Sequence, residues 1–223
     1  MKALRYAIEY LHERGKNVPS DVLAFAYSPA LKQGAYYRAV RNTLWASVYD
    51  AVYDFLSRPI ARTGPETRMR IALAEAWQEA SNLAYQDGGG SFPIDDDTQA
   101  FINSDLGAQL AYSEALFQRL LDLRREGDAN QIQEAFRRAD GYTNSLDILY
   151  NNVKAAGAGN KMLTFAGSDG EESCKDCQKY KGQRHRASWW LRHDAVPPNR
   201  DFECHGYRCQ HILIDDNGME FTA

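Results

Sequence analysis

Apolar residues recur at three- and four-residue steps through most of the first 160 positions, the spacing that lines one face of an α-helix. Leu4, Ile8 and Leu11 form a short stripe that ends at Gly15. A longer one runs through Tyr37, Val40, Leu44, Val48, Ala51 and Phe55 and stops at Pro59, which cannot continue a helix interior. Its aromatic residues invite a cofactor box, but helical spacing alone accounts for them as core. Pro65 suits a helix start, where its missing N–H would be unpaired anyway, and the glycines at 88–90 supply a stop. Asp95, Asp96 and Asp97 suit the positive end of the next helix, which turns Ile102, Leu106, Leu110, Phe117 and Leu120 inward. These acids lack the alternating spacing and turn glycine of a calcium loop, so they read as a solvated helix start. A further helix opens at Asp128, carries Ile132 and Phe136, and closes at Gly141; a last one spans Ser145 to Ala156 through Leu146, Leu149, Tyr150 and Val153.

The texture changes at Gly157. Met162 to Ala166 reads as a short strand and Asp169-Gly170 as a turn. From there to His211 the chain is rich in Cys, His, Pro, Trp and Arg and poor in aliphatic residues, so it needs another source of order. The expected fold is mainly α: a multi-helix body over residues 1–157, with a candidate joint at 88–93, and a small α+β zinc-binding module with short strands over 158–223. No internal repeat, low-complexity tract or long heptad run is visible.

Composition narrows the class. With 44% hydrophobic and 25% charged residues and a net charge of −4, the chain has no overall pull towards nucleic acid. The first sixteen residues carry charges and no long apolar run, so neither a secretory signal nor a membrane span is expected there, and a cytosol-like compartment is. In such a compartment paired cysteines are more often metal ligands or catalytic thiols than disulfides.

All four cysteines lie in the last fifty residues, as Cys174-x2-Cys177 and Cys204-x4-Cys209. A turn between two sulfurs brings both to one side with backbone N–H groups aimed at them, and a second pair completes a tetrahedron. Zinc suits thiolates and is indifferent to redox, and its binding could order a loop-rich segment. Three ligand sets stay open: the four cysteines, His205 in place of Cys204, or His211 in place of Cys204 or Cys209. Buried free thiols would not explain four cysteines beside four of the five histidines, and no βαβ setting supports a redox CxxC.

Glu203, Asp201 and His193 are near enough in sequence to serve a catalytic ion, but neither H-E-x-x-H nor the H-x-E with P-C-x-x-C of deaminases is present, which favours a closed structural site. Trp189, Trp190 and Leu191 are expected to cover the metal rather than form a contact patch. Pro197 and Pro198 are expected to hold an extended approach to the second ligand pair, and His185 and His193 to lie at the surface or beside the ligands.

The stretch from Tyr150 through "NNVKAAGAGNKMLTFAGSDGEESCKDCQKYKGQ" to "PPNRDFECHGYRCQH" resembles the C-terminal region of phage head morphogenesis, or minor head, proteins of the Mu protein F type. The matching positions are Phe165, Cys174, Cys177, Gly182, Pro197, Pro198 and the Cys204 to His211 group with Arg208, within residues 145–214. Phe165 stands where the family usually has tryptophan, and the terminal group differs in spacing from the family's H-x-x-C-R-C. The resemblance implies a virion component, synthesised in the bacterial cytoplasm, that acts near the portal or in the forming head. Its partners would be capsid or portal proteins in an oligomeric assembly, with packaged DNA within reach.

Two other functions fit parts of the pattern. An HNH-like nuclease would draw on His193, Asp194, Asn199 and His211, although the usual Asp-His order is reversed. A nucleic-acid-binding zinc module would use Arg184, Arg186, Arg192, Arg200 and Arg208 with Trp189, Trp190 and Tyr207, against nearly as many acids at Glu171, Glu172, Asp176, Asp194, Asp201 and Glu203.

Overall fold

The computed structural model describes residues 29–126, 129–167, 174–206, 209 and 211–221. The Leu4 to Gly15 stripe, Asp128, the Asp169-Gly170 turn, Glu171, Glu172, Tyr207 and Arg208 lie outside them. Among the described residues four long helices come first: α1 (Pro29–Ser57), α2 (Thr63–Gly88), α3 (Asp96–Glu126) and α4 (Ala129–Ala158). The stripes expected on α1 and on the second half of α4 are core throughout, from Tyr37 to Phe55 and from Leu146 to Val153.

Contacts along the helices give their directions. Tyr37 stacks on Tyr150 at 3.9 Å, and Tyr49 meets Phe136 at 4.6 Å, so α1 and α4 run antiparallel. Trp77 Nε1 donates to Asp105 at 2.9 Å while Tyr85 donates to Asp95, which sets α3 antiparallel to α2. The result is an up-down-up-down bundle in which α2 and α4, parallel and diagonal, make the most extensive contact. The glycines at its end, Gly88 of α2 and Gly157 of α4, let the two backbones come close there.

Helix ends follow the sequence closely. Gly89, at φ 98°, takes the left-handed position after α2, and the N–H groups of Gly89 and Gly90 reach the carbonyls of Gln86 and Tyr85. In the same stretch, 88–93, a Cβ on Gly88 would lie 2.2 Å from the Lys154 carbonyl oxygen, so that glycine has a packing role as well. Asp95 caps α3: its carboxylate accepts the Thr98 N–H at 2.9 Å and the Thr98 hydroxyl at 2.7 Å, and the Thr98 bonds hold its pKa below the usual carboxylate value. Asp95→Ala should cost about 1 kcal/mol in thermal unfolding. Because the folded pKa is depressed, the charged cap's contribution is present above about pH 4 and fades as pH falls through the folded value. A wild-type minus variant stability difference that does not shrink under acid would contradict this.

One helix was expected to close at Gly141 and another to start at Ser145. Instead α4 is continuous, because a single glycine costs only about 1 kcal/mol and buried residues run through the supposed break, with Ala135 before it and Tyr142, Thr143 and Leu146 within and after it. Among the described residues no helix is long and apolar enough to cross a membrane.

Beyond α4 the chain forms β1 (Met162–Ala166), α5 (Lys175–Tyr180), β2 (Arg184–Arg186), α6 (Ala187–Arg192) and β3 (Ile212–Ile214). The strand expected at 162–166 is there, central in an antiparallel sheet of order β2-β1-β3. Leu163 and Phe165 point from it into a second core with Trp190, Val196, Phe202, Leu213 and Phe221. Trp190 is fully buried and donates its Nε1 proton to the Leu163 carbonyl, while Trp189 and Leu191 are half-buried. The module sits on the bundle: Ala155 of α4 belongs to the second core, Asn151 donates to the Pro197 carbonyl at 3.3 Å, and Arg200 pairs with Asp105 at 3.1 Å. The expected extended run at Pro197 and Pro198 is a bend with a cis Pro197–Pro198 peptide.

Candidate metal centre

Cys174 stands at the N-cap of α5 with extended backbone, and its Sγ accepts the Cys177 N–H at 3.5 Å. One turn of helix sets Cys177 on the same side and turns it into the second core, 1% exposed. The remaining donors arrive from far along the chain. Cys204 follows Phe202, whose ring stacks on Tyr180 of α5, and Cys209 and His211 lie on the approach to β3.

The sulfurs of Cys174, Cys177 and Cys204 lie within 4.8 Å of one another, and so do the ligand atoms of Cys177, Cys209 and His211. Cys177 belongs to both groups. Its Sγ is 3.9 Å from that of Cys209, near the ~3.8 Å edge of a tetrahedron with bonds of about 2.3 Å and far beyond a disulfide bond of about 2.05 Å. All four thiols are free. This cluster can hold a metal ion.

His211 is held tightly beside it. The ring is 4% exposed, its centroid lies 5.5 Å from that of Phe165, and a Cβ on Gly167 would fall 2.4 Å from Cδ2. Glycine at 167 therefore makes the cradle for this imidazole. Its buried Nε2 has no hydrogen-bond partner among the described residues, an arrangement that costs about 1–3 kcal/mol unless a ligand satisfies it.

The electrostatics point the same way. Burial pushes the Cys177 thiol far up, and the neighbouring thiols add to it. Cys204 is pushed up to about 11, by burial first and then by Cys174 and Cys209, against an opposing bond from the Gly206 backbone. Burial also raises Cys174, but hydrogen bonds from the backbones of Cys177 and Cys204 outweigh it and the thiol ends below its ordinary value. Burial and the Lys181 charge lower His211, which favours the neutral, ligating imidazole. Thiolates crowded together in a poorly solvated place need a cation among them, and a metal ion supplies it.

No family model, curated protein or solved structure matches this chain. The site's chemistry has to be read from its own residues.

His205, one of the alternate ligands, is in neither group; at φ 51° it turns away, and its Nδ1 lies 3.0 Å from the Arg200 carbonyl. His193 and Asp194 are in neither group either: His193 Nδ1 faces the Trp189 carbonyl at 2.9 Å, and Asn199 bonds the backbone of Asp194 and Asp201. The acids beside the cluster clasp the two halves of the site together. Glu203 accepts the Lys175 N–H at the start of α5 at 3.1 Å, while Asp176 accepts the Glu203 N–H at 2.9 Å. Sequence reasoning missed this reciprocal clasp and the Gly167 cradle; an acid in the first turn of the CxxC helix was the available signal for the first.

Of the arginines considered for phosphate, Arg184 pairs with Asp216, Arg200 with Asp105, Arg186 bonds Asn160 and Arg192 the Ser188 carbonyl. Both faces of Trp189 are covered, by His185 at 3.7 Å and His193 at 4.0 Å. That leaves neither indole face for a base.

Proposed function

We propose that this chain is a non-catalytic component of a bacteriophage head, a minor capsid or head morphogenesis protein. In it a zinc ion held by Cys174, Cys177, Cys204 and Cys209 braces the C-terminal module. The observation that carries the metal reading is that four free thiols and a buried imidazole with an unpaired Nε2 gather in two groups of three that share Cys177, between α5 and β3. Zinc suits a thiolate-rich tetrahedron, and a closed site suits structure, since Glu203 and Asp176 are engaged in backbone bonds. The head reading rests on the family resemblance. Its positions fall on β1 (Phe165), α5 (Cys177), the turn where Gly182 adopts φ 74°, and the proline bend that leads to Cys204.

The helical body would meet capsid or portal subunits in an oligomeric assembly, with packaged DNA nearby. The chain would be synthesised in the host cytoplasm and retained in the virion. Mass spectrometry of purified proheads and particles, together with metal analysis of the purified chain, tests both halves. The chain is expected in the particles at reproducible copy number, with about one zinc per chain. Absence from particles and proheads alike would overturn the head assignment, and metal-free protein would overturn the brace. In a Mg²⁺-supplemented nicking assay, wild type and His193→Ala are both expected to leave DNA intact; cleavage lost in the variant would instead establish the HNH-like nuclease.

A further inference from the structure

The cluster offers five donors where a tetrahedral ion takes four. They divide two and two around Cys177, with Cys174 and Cys204 in one group and Cys209 and His211 in the other. Cys174 and Cys177 are fixed to each other by one turn of α5, and Cys209 lies 3.9 Å from Cys177. Those three supply sulfur in both donor sets, with Cys177 between Cys174 on one side and Cys209 on the other. Cys204 is half-buried, as Cys174 and Cys209 are, but it alone stands on a tight turn in which His205 and Gly206 both have positive φ. His211, by contrast, is buried and cradled by Gly167 and Phe165, with a ring nitrogen that no group among the described residues satisfies.

We infer that His211 is a reserve ligand, able to take the place of Cys204 so that the ion stays bound when that thiolate is lost. This rests on the metal site proposed above. The exchange breaks one metal–sulfur bond and forms one metal–nitrogen bond, with Cys174, Cys177 and Cys209 unchanged. The imidazole enters neutral, and the departing Cys204 thiolate takes up a proton from solvent. The set changes from four sulfurs to three sulfurs and one nitrogen, both of which zinc accepts.

The full chain with Cys204→Ala, with His211→Gln, and with both substitutions tests this by zinc content and by cobalt(II) substitution. Each single variant is expected to keep about one zinc per chain, and the double variant to lose it. The sulfur-to-cobalt charge-transfer intensity should fall by about a quarter in Cys204→Ala and stay at the wild-type level in His211→Gln. A metal-free or insoluble Cys204→Ala overturns the inference while leaving the site itself standing, provided wild type carries zinc. Zinc retained by the double variant, or lost from His211→Gln alone, overturns it as well. Metal-free wild type removes the site and the inference together.

Discussion

Cys177→Ser, or extraction of the ion by a strong chelator, is expected to unfold the C-terminal module while the helical bundle stays folded. Cys177 is the donor common to both groups, it is 1% exposed, and its burial makes any replacement hard to solvate. A structural zinc ion contributes on the order of 10 to 16 kcal/mol, as much as the whole stability of a typical domain. The second core is small and depends on aromatic rings, several of which pack around the cluster itself: Phe165 against His211, and Tyr180 against Phe202. The bundle core, from Tyr37 to Val153, contains none of these residues. Hydrogen exchange is the measurement: amides of β1 and β3 should lose protection after metal removal, and those in the middle of α2 and α4 should keep it. Full protection of β1 in metal-free protein would show that the aromatic core suffices alone.

Gly157→Ala should destabilise the bundle by about 3 kcal/mol or more, at the upper end of overpacking costs, and lower the melting temperature by roughly 10 °C. At the C-terminal ends of α2 and α4 the two backbones touch. A Cβ on Gly157 would lie 2.3 Å from the Tyr85 carbonyl oxygen, and one on Gly88 only 2.2 Å from that of Lys154. Backbone carbonyls cannot rotate away as a side chain can, so the helices must separate and the hydrogen bond from Tyr150 to Asp87 loosens with them. Gly141, in the same helix, has nothing within 4 Å of its added Cβ. There the substitution should stabilise by about 0.5–1 kcal/mol, through better helix propensity. Opposite signs from one chemical change in one helix are the expected result in thermal melts; two shifts of the same sign would contradict the helix crossing.

Those two glycines also mark how far local pattern reaches. Gly141 looked like a helix end and Gly157 like the point where the body gives way to the module, since both break a run of apolar periodicity. In the structure Gly141 is inside α4, because its neighbours Tyr142 and Leu146 are buried against the bundle, whereas Gly157 stands one residue before the end of α4 at Ala158, where α2 needs the space. The short elements α5, α6, β2 and β3 were equally hidden, each three to six residues long and too brief to show a period.

The sequence by itself determined the helical stripes from Tyr37 to Phe55 and from Leu146 to Val153, the glycine stop after α2, the acid cap of α3, the strand at Met162–Ala166 and the two-plus-two cysteine pattern. Each depends on spacing within one segment, where backbone geometry converts position directly into direction. Only the tertiary structure decided that His211 enters the cluster and His205 does not, that Cys177 is its shared donor, that Glu203 and Asp176 clasp backbone, and that α2 and α4 meet at their glycines. Those outcomes depend on where residues tens of positions apart come to rest, and a chain's local period carries no record of that.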